Sequence, residues 1–304
     1  GNVYNVSINN MSGEKIMNSS FKNDRLTAKQ KFDQGRTTMR ADEFYNFMIK
    51  REKLRLVKAQ GGPWPWSKDD ILNSFKFTNV KRSMDRTTEW FWKERLDKHK
   101  EAPAPTILFN CALFRYFGTI EFSEAIGWID HWPTSAQLVK DTAKERLANK
   151  ERVFTGAYVI TNQGLKAPKQ DVVVDHFLTP LWEKAPTICN MAENTRKWEH
   201  TAKMMMELKG FGGSGFMTKE VLQDALHTKV FPTCTDTNTY CPVGPGAKRG
   251  LNRVLGFDKD ARLNNGLEVM IKLFNQRSVF WPEEWVKLEL HDIQFQLCEF
   301  DKYE

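Results

Sequence analysis

A mainly α-helical fold with one small β-hairpin is predicted, on three observations. Apolar residues recur at helical spacing in several separate stretches, and helix-starting and helix-stopping residues bracket those stretches. Only two runs, Val153–Ile160 and Val172–Val174, have the β-branched density of strands, with a turn near Gly164. At 304 residues and 40% hydrophobic content, the chain can bury a core in one large domain or in two lobes around a cleft.

Residues 1–38, rich in Asn, Ser and Lys, read as a polar N-terminal arm, and 39–304 as the folded domain. From Ala41, the positions Phe44, Phe47, Met48, Leu54 and Val57 form a helical stripe, which Gly61-Gly62-Pro63-Trp64-Pro65-Trp66 must end. Ser67 with Asp70 makes a capping-box-like start for a helix burying Ile71, Leu72, Phe75 and Val80, whose polar positions run to Asn79, Arg82, Asp85 and Arg86. Further helices are predicted near Thr106–Phe117 and from the cap Ser135 through Leu138 and Leu147. Trp198, Ala202, Met205 and Leu208 line one face of a helix that reaches a glycine-rich turn, and Thr218–Leu226 reads as the next helix.

The balance of 45 Lys+Arg against 38 Asp+Glu gives a formal charge of +7, which favours a polyanionic partner. No segment approaches the roughly 18 apolar residues of a membrane span, so a cytoplasmic protein with no membrane association is expected. Five scattered cysteines without a C-x-x-C pair read as reduced thiols. Cys234, Cys241 and His227 fit no common zinc spacing, and neither a metal nor a cofactor is expected.

The string Leu208-Lys209-Gly210-Phe211-Gly212-Gly213-Ser214-Gly215 satisfies G-x-G-x-x-G, but a dinucleotide site needs a strand before it and here a helix precedes. Helix, L-x-G-apolar-G, helix is instead the form of a helix-hairpin-helix. In that form Gly210, Gly212, Gly213 and Ser214 let the backbone approach a DNA phosphate, with Lys219 in the following helix as an added cation. An ordinary helix-ending glycine turn is the competing reading.

The hairpin followed by Thr235-Asp236-Thr237-Asn238 resembles the helix-hairpin-helix DNA glycosylase superfamily, and Asp236 matches its catalytic aspartate. The lysine nucleophile of bifunctional members has no counterpart, since Gly213-Ser214-Gly215-Phe216 occupies its neighbourhood. Four strings carry a closer resemblance: Trp66-Ser-Lys-Asp-Asp-Ile-Leu-Asn-Ser-Phe-Lys-Phe-Thr-Asn-Val-Lys-Arg82, Phe154-Thr-Gly-Ala-Tyr158, Gly244-Pro-Gly-Ala-Lys-Arg-Gly-Leu-Asn252 and Asp292-Ile-Gln-Phe-Gln-Leu-Cys-Glu-Phe-Asp-Lys-Tyr303. Together they resemble the phage-centred alpha-glutamyl/putrescinyl thymine pyrophosphorylases, or amino acid:DNA transferases, whose helical module is also attached to 5-hydroxymethyluracil DNA kinases. The resemblance implies a helix-hairpin-helix, glycosylase-like fold and a host-cell cytoplasmic location. It also implies that a kinase pyrophosphorylates 5-hydroxymethyluracil in double-stranded DNA and that an amino acid or polyamine then replaces the pyrophosphate. The chain contains no G-x-x-x-x-G-K-[ST], which favours the transferase step.

Loss of pyrophosphate needs cations against the leaving oxygen, and Lys248 and Arg249, in a flexible Gly244–Gly250 loop, are candidates alongside DNA-backbone roles. Arg82 and Arg115 fall on helices that read as buried, where internal pairing with Asp70, Asp85 or Glu299 is the alternative. Asp236 is the candidate general base or ammonium anchor, and Asn79 a candidate reader of the uracil edge. Asp292 and Glu299, about two turns apart on a C-terminal helix, are assigned to the substrate pocket with Asn252 and Lys302, structural pairing of the two carboxylates with Lys302 or Arg82 being the equal alternative. Extrusion of the base needs stacking surfaces, for which Trp64, Trp66 and Tyr158 are chosen. The glycine turn and the basic loop are expected to converge on one flipped nucleotide. Two other functions compete: a DNA glycosylase using Asp236, and a DNA-binding module serving a separate kinase.

Overall fold

The computed structural model describes residues 6–7, 38–61, 80–81 and 84–304. The predicted break at Gly62–Trp66, the helix expected from Ser67, and the residues Trp64, Trp66, Asp70, Asn79 and Arg82 lie outside the described residues. The described chain is mainly helical, as its periodicity predicts. It divides into two compact units, Gly1–Asp85 with Val243–Glu304, and Arg86–Pro242. None of its helices is long and apolar enough to cross a membrane.

In the first unit a two-residue antiparallel pair, β1 (Val6–Ser7) and β2 (Thr38–Met39), precedes α1 (Ala41–Ala59). The predicted stripe of α1 is buried at Phe44, Phe47 and Met48 but reaches the surface at Val57. Phe44 and Phe47 pack on Phe300 of α13 (Leu290–Tyr303), and Tyr45 donates a 2.7 Å hydrogen bond to the Leu273 carbonyl in α11 (Gly266–Asn275). The predicted loop 244–250 is instead the start of a helix, α10 (Pro245–Val254). Pro245 sits in its first turn, where a missing N–H costs nothing. Helix α10 lies directly on α13, and a Cβ at Gly250 would run into the Leu297 carbonyl. A short helix, α12 (Arg277–Phe280), supplies the ring that stacks on Tyr45.

The second unit begins with α2 (Arg86–Phe91), which continues as a π-helical turn through Leu96. At its centre is α3 (Ala104–Phe117), buried on every side from Thr106 onward, with α4 (Ile120–Ile126) following. Helix α5 (Trp132–Ala148) starts three residues before the predicted cap Ser135, because Pro133 is compatible with a first turn. The predicted β-hairpin is absent. Residues 153–160 are irregular, with Val153 and Ile160 buried between exposed positions, and Gly156 weakens any strand there. Val172–Val174 are helical, in a run from α6 (Lys169–Val172) through Val173–Leu178 into α7 (Thr179–Thr195). All three valines are fully buried, and packing overrides their β preference. Helices α7 and α9 (Phe216–Ala225) both pack on α3, and α8 (Trp198–Met205) packs on α7.

Candidate active site

Helix α9 carries the densest buried polar chemistry of the second unit. Every residue from Met217 to Ala225 is buried, including Lys219, Glu220, Gln223 and Asp224. Asp224 accepts two hydrogen bonds from Arg115 of α3, from Nε at 2.6 Å and Nη2 at 2.9 Å, and a third from Trp92 Nε1 at 2.8 Å. The guanidinium also donates to Thr88 Oγ1 at 2.9 Å. Burial opposes the charge on Arg115, yet the attraction and hydrogen bonds of Asp224 outweigh it and hold the group protonated. Tyr158 donates to the Arg115 carbonyl, which anchors the irregular segment on α3.

One turn earlier, Lys219 Nζ lies 3.2 Å from Glu220 Oε1 and 4.9 Å from the centre of the Phe216 ring. The Trp92 ring packs on His227 with centroids 4.1 Å apart. Two cations and two carboxylates thus share a buried, low-dielectric region in which charges interact more strongly than in water.

The glycine turn separates α8 from α9. Gly210 has φ +88, and a Cβ there would lie 2.5 Å from Phe177 Cγ and 2.6 Å from Tyr116 Oη, so no other residue fits. Tyr116 donates to the Gly210 carbonyl, Thr218 donates to that of Phe211 at 2.7 Å, and Phe211 is wholly buried. Gly213 and Ser214 remain exposed at the tip. Asp236 caps the end of α8 away from this turn. Its Oδ1 accepts the Trp198 N–H at 2.8 Å and its Oδ2 the Glu199 N–H at 3.0 Å, which places the carboxylate at the N-terminus of α8.

A family model described as "5-hmdU DNA kinase, helical domain" matches residues 38–304, nearly all of the described chain. The chain belongs to the 5-hmdU DNA kinase helical-domain family. A curated relative, the "5-hmdU DNA kinase" of Bacillus phage SP10, is 26% identical over 135 residues, covering 43% of this chain and 21% of the relative. The chain therefore matches about a fifth of that kinase's length. No solved structure matches the chain.

Within this helical-domain member, the residues singled out in the sequence are distributed over both units. Arg115 and Tyr158 meet in the second unit, and the partner of Arg115 is Asp224 rather than Asp70, Asp85 or Glu299. Lys219 is 1% exposed, which puts it in the buried network rather than on an exposed surface facing the DNA backbone. Both Asp236 oxygens are engaged by backbone N–H groups, which makes it a capping anchor rather than a free base. Gly210 and Gly212 belong to the second unit, whereas Lys248 and Arg249 belong to the first.

In the first unit Lys248 is exposed, while Arg249 and Arg253 each donate at 2.8 Å to Asp301. Asn252 is buried and ties down the loop beyond α10 by donating to the Lys259 and Ala261 carbonyls. Asp292 accepts the Glu289 N–H at 2.9 Å in a capping box and pairs with Lys81 at 3.4 Å. Glu289, His291 and Asp292 present ligand atoms within 4.8 Å of one another, the geometry of a cation site, although Lys81 and the cap already engage Asp292. Glu299 lies 3.7 Å from Lys302 and supports the charge of Arg51, which burial pushes down to about 10.

Burial opposes ionisation of Asp301, but the hydrogen bonds from Arg249 and Arg253 hold its carboxyl below the ordinary 3.8. A depressed carboxyl adds stability that is complete above its unfolded value and is lost as pH falls through the folded one. Asp301→Asn is therefore expected to lower Tm at neutral pH, and the difference from wild type should vanish well below pH 3.8. A difference that persists in acid would assign the effect to packing.

Asp224, Glu220, Gln223, Thr88 and Trp92 are site residues that the sequence reading passes over. The signal was the polar quartet at 219, 220, 223 and 224, which has the spacing of a solvated helix face.

Proposed function

We propose that this chain acts in hypermodification of 5-hydroxymethyluracil in DNA, transferring an amine onto the pyrophosphorylated base. The observation that carries the reading is the helical-domain match over residues 38–304. The resemblance to amino acid:DNA transferases supplies the reaction type. The amine nitrogen bonds to the C5 methylene carbon, the carbon–oxygen bond to pyrophosphate breaks, and pyrophosphate leaves with the bonding pair while the nitrogen loses one proton.

The chain's own groups suit these needs. Arg115 and Lys219 are buried cations able to balance charge growing on the leaving oxygen. Glu220 is the buried carboxylate beside them and suits the amine's ammonium group or its proton. Helix α8, the glycine turn and α9 are read as a helix-hairpin-helix of glycosylase-like type, with Gly212, Gly213 and Ser214 against DNA phosphates. A kinase acting earlier supplies the activated base, and an amino acid or a polyamine is the second substrate. With a phage protein as relative, the place of action is the host-cell cytoplasm.

Incubating pyrophosphorylated 5-hydroxymethyluracil DNA with a panel of amino acids and polyamines tests the reading. Release of pyrophosphate with an intact backbone and a new nucleoside is expected. Free base with abasic sites would replace transfer by excision, and binding without product would leave a DNA-binding module.

A further inference from the structure

Of the α9 polar quartet, the mechanism above uses Lys219 and Glu220, Asp224 holds Arg115, and Gln223 has no role yet. It is 2% exposed, and neither its Nε2 nor its Oε1 has a hydrogen-bond partner. A primary amide so placed forgoes two donors and an acceptor, each stripped of water without a replacement bond. Its charged neighbours have charged partners: Asp224 binds Arg115 and Trp92, and Lys219 Nζ lies 3.2 Å from Glu220 Oε1. A buried amide with both ends unpaired, set among charged side chains, is equipped to bind a ligand that offers one donor and one acceptor.

We infer that Gln223 reads the imide edge of the extruded pyrimidine, a role that rests on the base-modification reading above. Its Nε2–H donates to O4 of a uracil ring while its Oε1 accepts from N3–H, a two-bond pairing that matches one donor and the acceptor of the amide to the imide edge. The helix gives the remaining geometry. Lys219 stands four residues before Gln223 on the same face, about one turn or ~6 Å along the axis. A pyrimidine held by its imide edge has its C5 substituent about that far away, so the leaving pyrophosphate of a base on Gln223 lies toward Lys219 and Glu220. The other end of the face opens at His227, which is exposed, and the Trp92 ring packed on it supplies an aromatic wall.

The test uses the full chain and duplex oligonucleotides with a single 5-hydroxymethyluracil or 5-hydroxymethylcytosine beside a fluorescent 2-aminopurine, which brightens when its neighbour leaves the stack. Gln223→Leu is expected to weaken extrusion of 5-hydroxymethyluracil roughly ten-fold or more, the worth of one bidentate base contact. Its Tm should equal or exceed that of wild type, since an unmatched buried amide has been removed. Gln223→Glu should reverse the preference toward 5-hydroxymethylcytosine, whose N4 amino group donates to a carboxylate.

Wild-type extrusion and amine transfer in Gln223→Leu would overturn the assignment while leaving the transfer reading standing. Loss of Tm together with all DNA binding in that variant would overturn it in favour of a structural role. Extrusion that depends on Gln223 without any amine transfer would uphold it and sink the transfer reading. A wild-type protein that neither extrudes nor transfers would sink both.

Discussion

Asp224→Asn is expected to destabilise the protein by about 3–5 kcal/mol, because it leaves the buried Arg115 guanidinium without its counter-charge. Both oxygens of Asp224 are in use, one shared between Arg115 and Trp92. An amide cannot accept all three bonds, so the loss exceeds that of an isolated ion pair. The double variant Arg115→Met with Asp224→Leu should recover most of the stability, since apolar packing replaces a buried pair at little net cost. Chemical denaturation of the three variants checks this ordering. The double variant should be inactive in amine transfer although folded, which separates the network's contribution to stability from its contribution to chemistry. A single variant within 1 kcal/mol of wild type, on the order of an exposed pair, would show that the guanidinium has another counter-ion.

The second large effect reverses sign against helix propensity. Alanine replacing a mid-helix glycine ordinarily adds about 1 kcal/mol, yet Gly250→Ala in α10 is expected to cost about 2–3 kcal/mol. The added methyl meets the Leu297 carbonyl and Cα of α13, main-chain atoms that cannot rotate aside. The two helices must separate, loosening the core of the first unit where Phe44 and Phe47 pack on Phe300. The midpoint of denaturant unfolding measures it. A rise in stability would mean that α10 and α13 have room to shift.

These effects show which parts of the architecture the sequence expresses openly. Helix α3 was legible because its apolar residues are continuous and Gly118 closes it in a left-handed conformation. The glycine turn was legible because Gly210 and Gly212 stand between two helical stripes. Val172–Val174 were misread as a strand because a helix buried on all sides has no stripe, which leaves local β preference as the remaining cue. The same ambiguity hid the candidate site. Lys219, Glu220, Gln223 and Asp224 look in sequence like a water-facing stripe, and only the fold shows them buried with Arg115 and Trp92. Asp236 stood out by its spacing from the turn, but spacing does not say whether a carboxylate is free, and here two N–H groups of α8 occupy it.

Transfer of an amine to the base is the central claim, and an isotope label tests it most directly. Pyrophosphorylated 5-hydroxymethyluracil DNA is incubated with the protein, a ¹⁵N-labelled amine and ¹⁸O-labelled water, digested to nucleosides and weighed by mass spectrometry. The account predicts a thymidine derivative with ¹⁵N on the C5 methylene, formed in equal amount to the pyrophosphate released. Recovery of 5-hydroxymethyl-2′-deoxyuridine carrying ¹⁸O and no ¹⁵N, or of substrate unchanged under conditions where the protein binds the DNA, would contradict it.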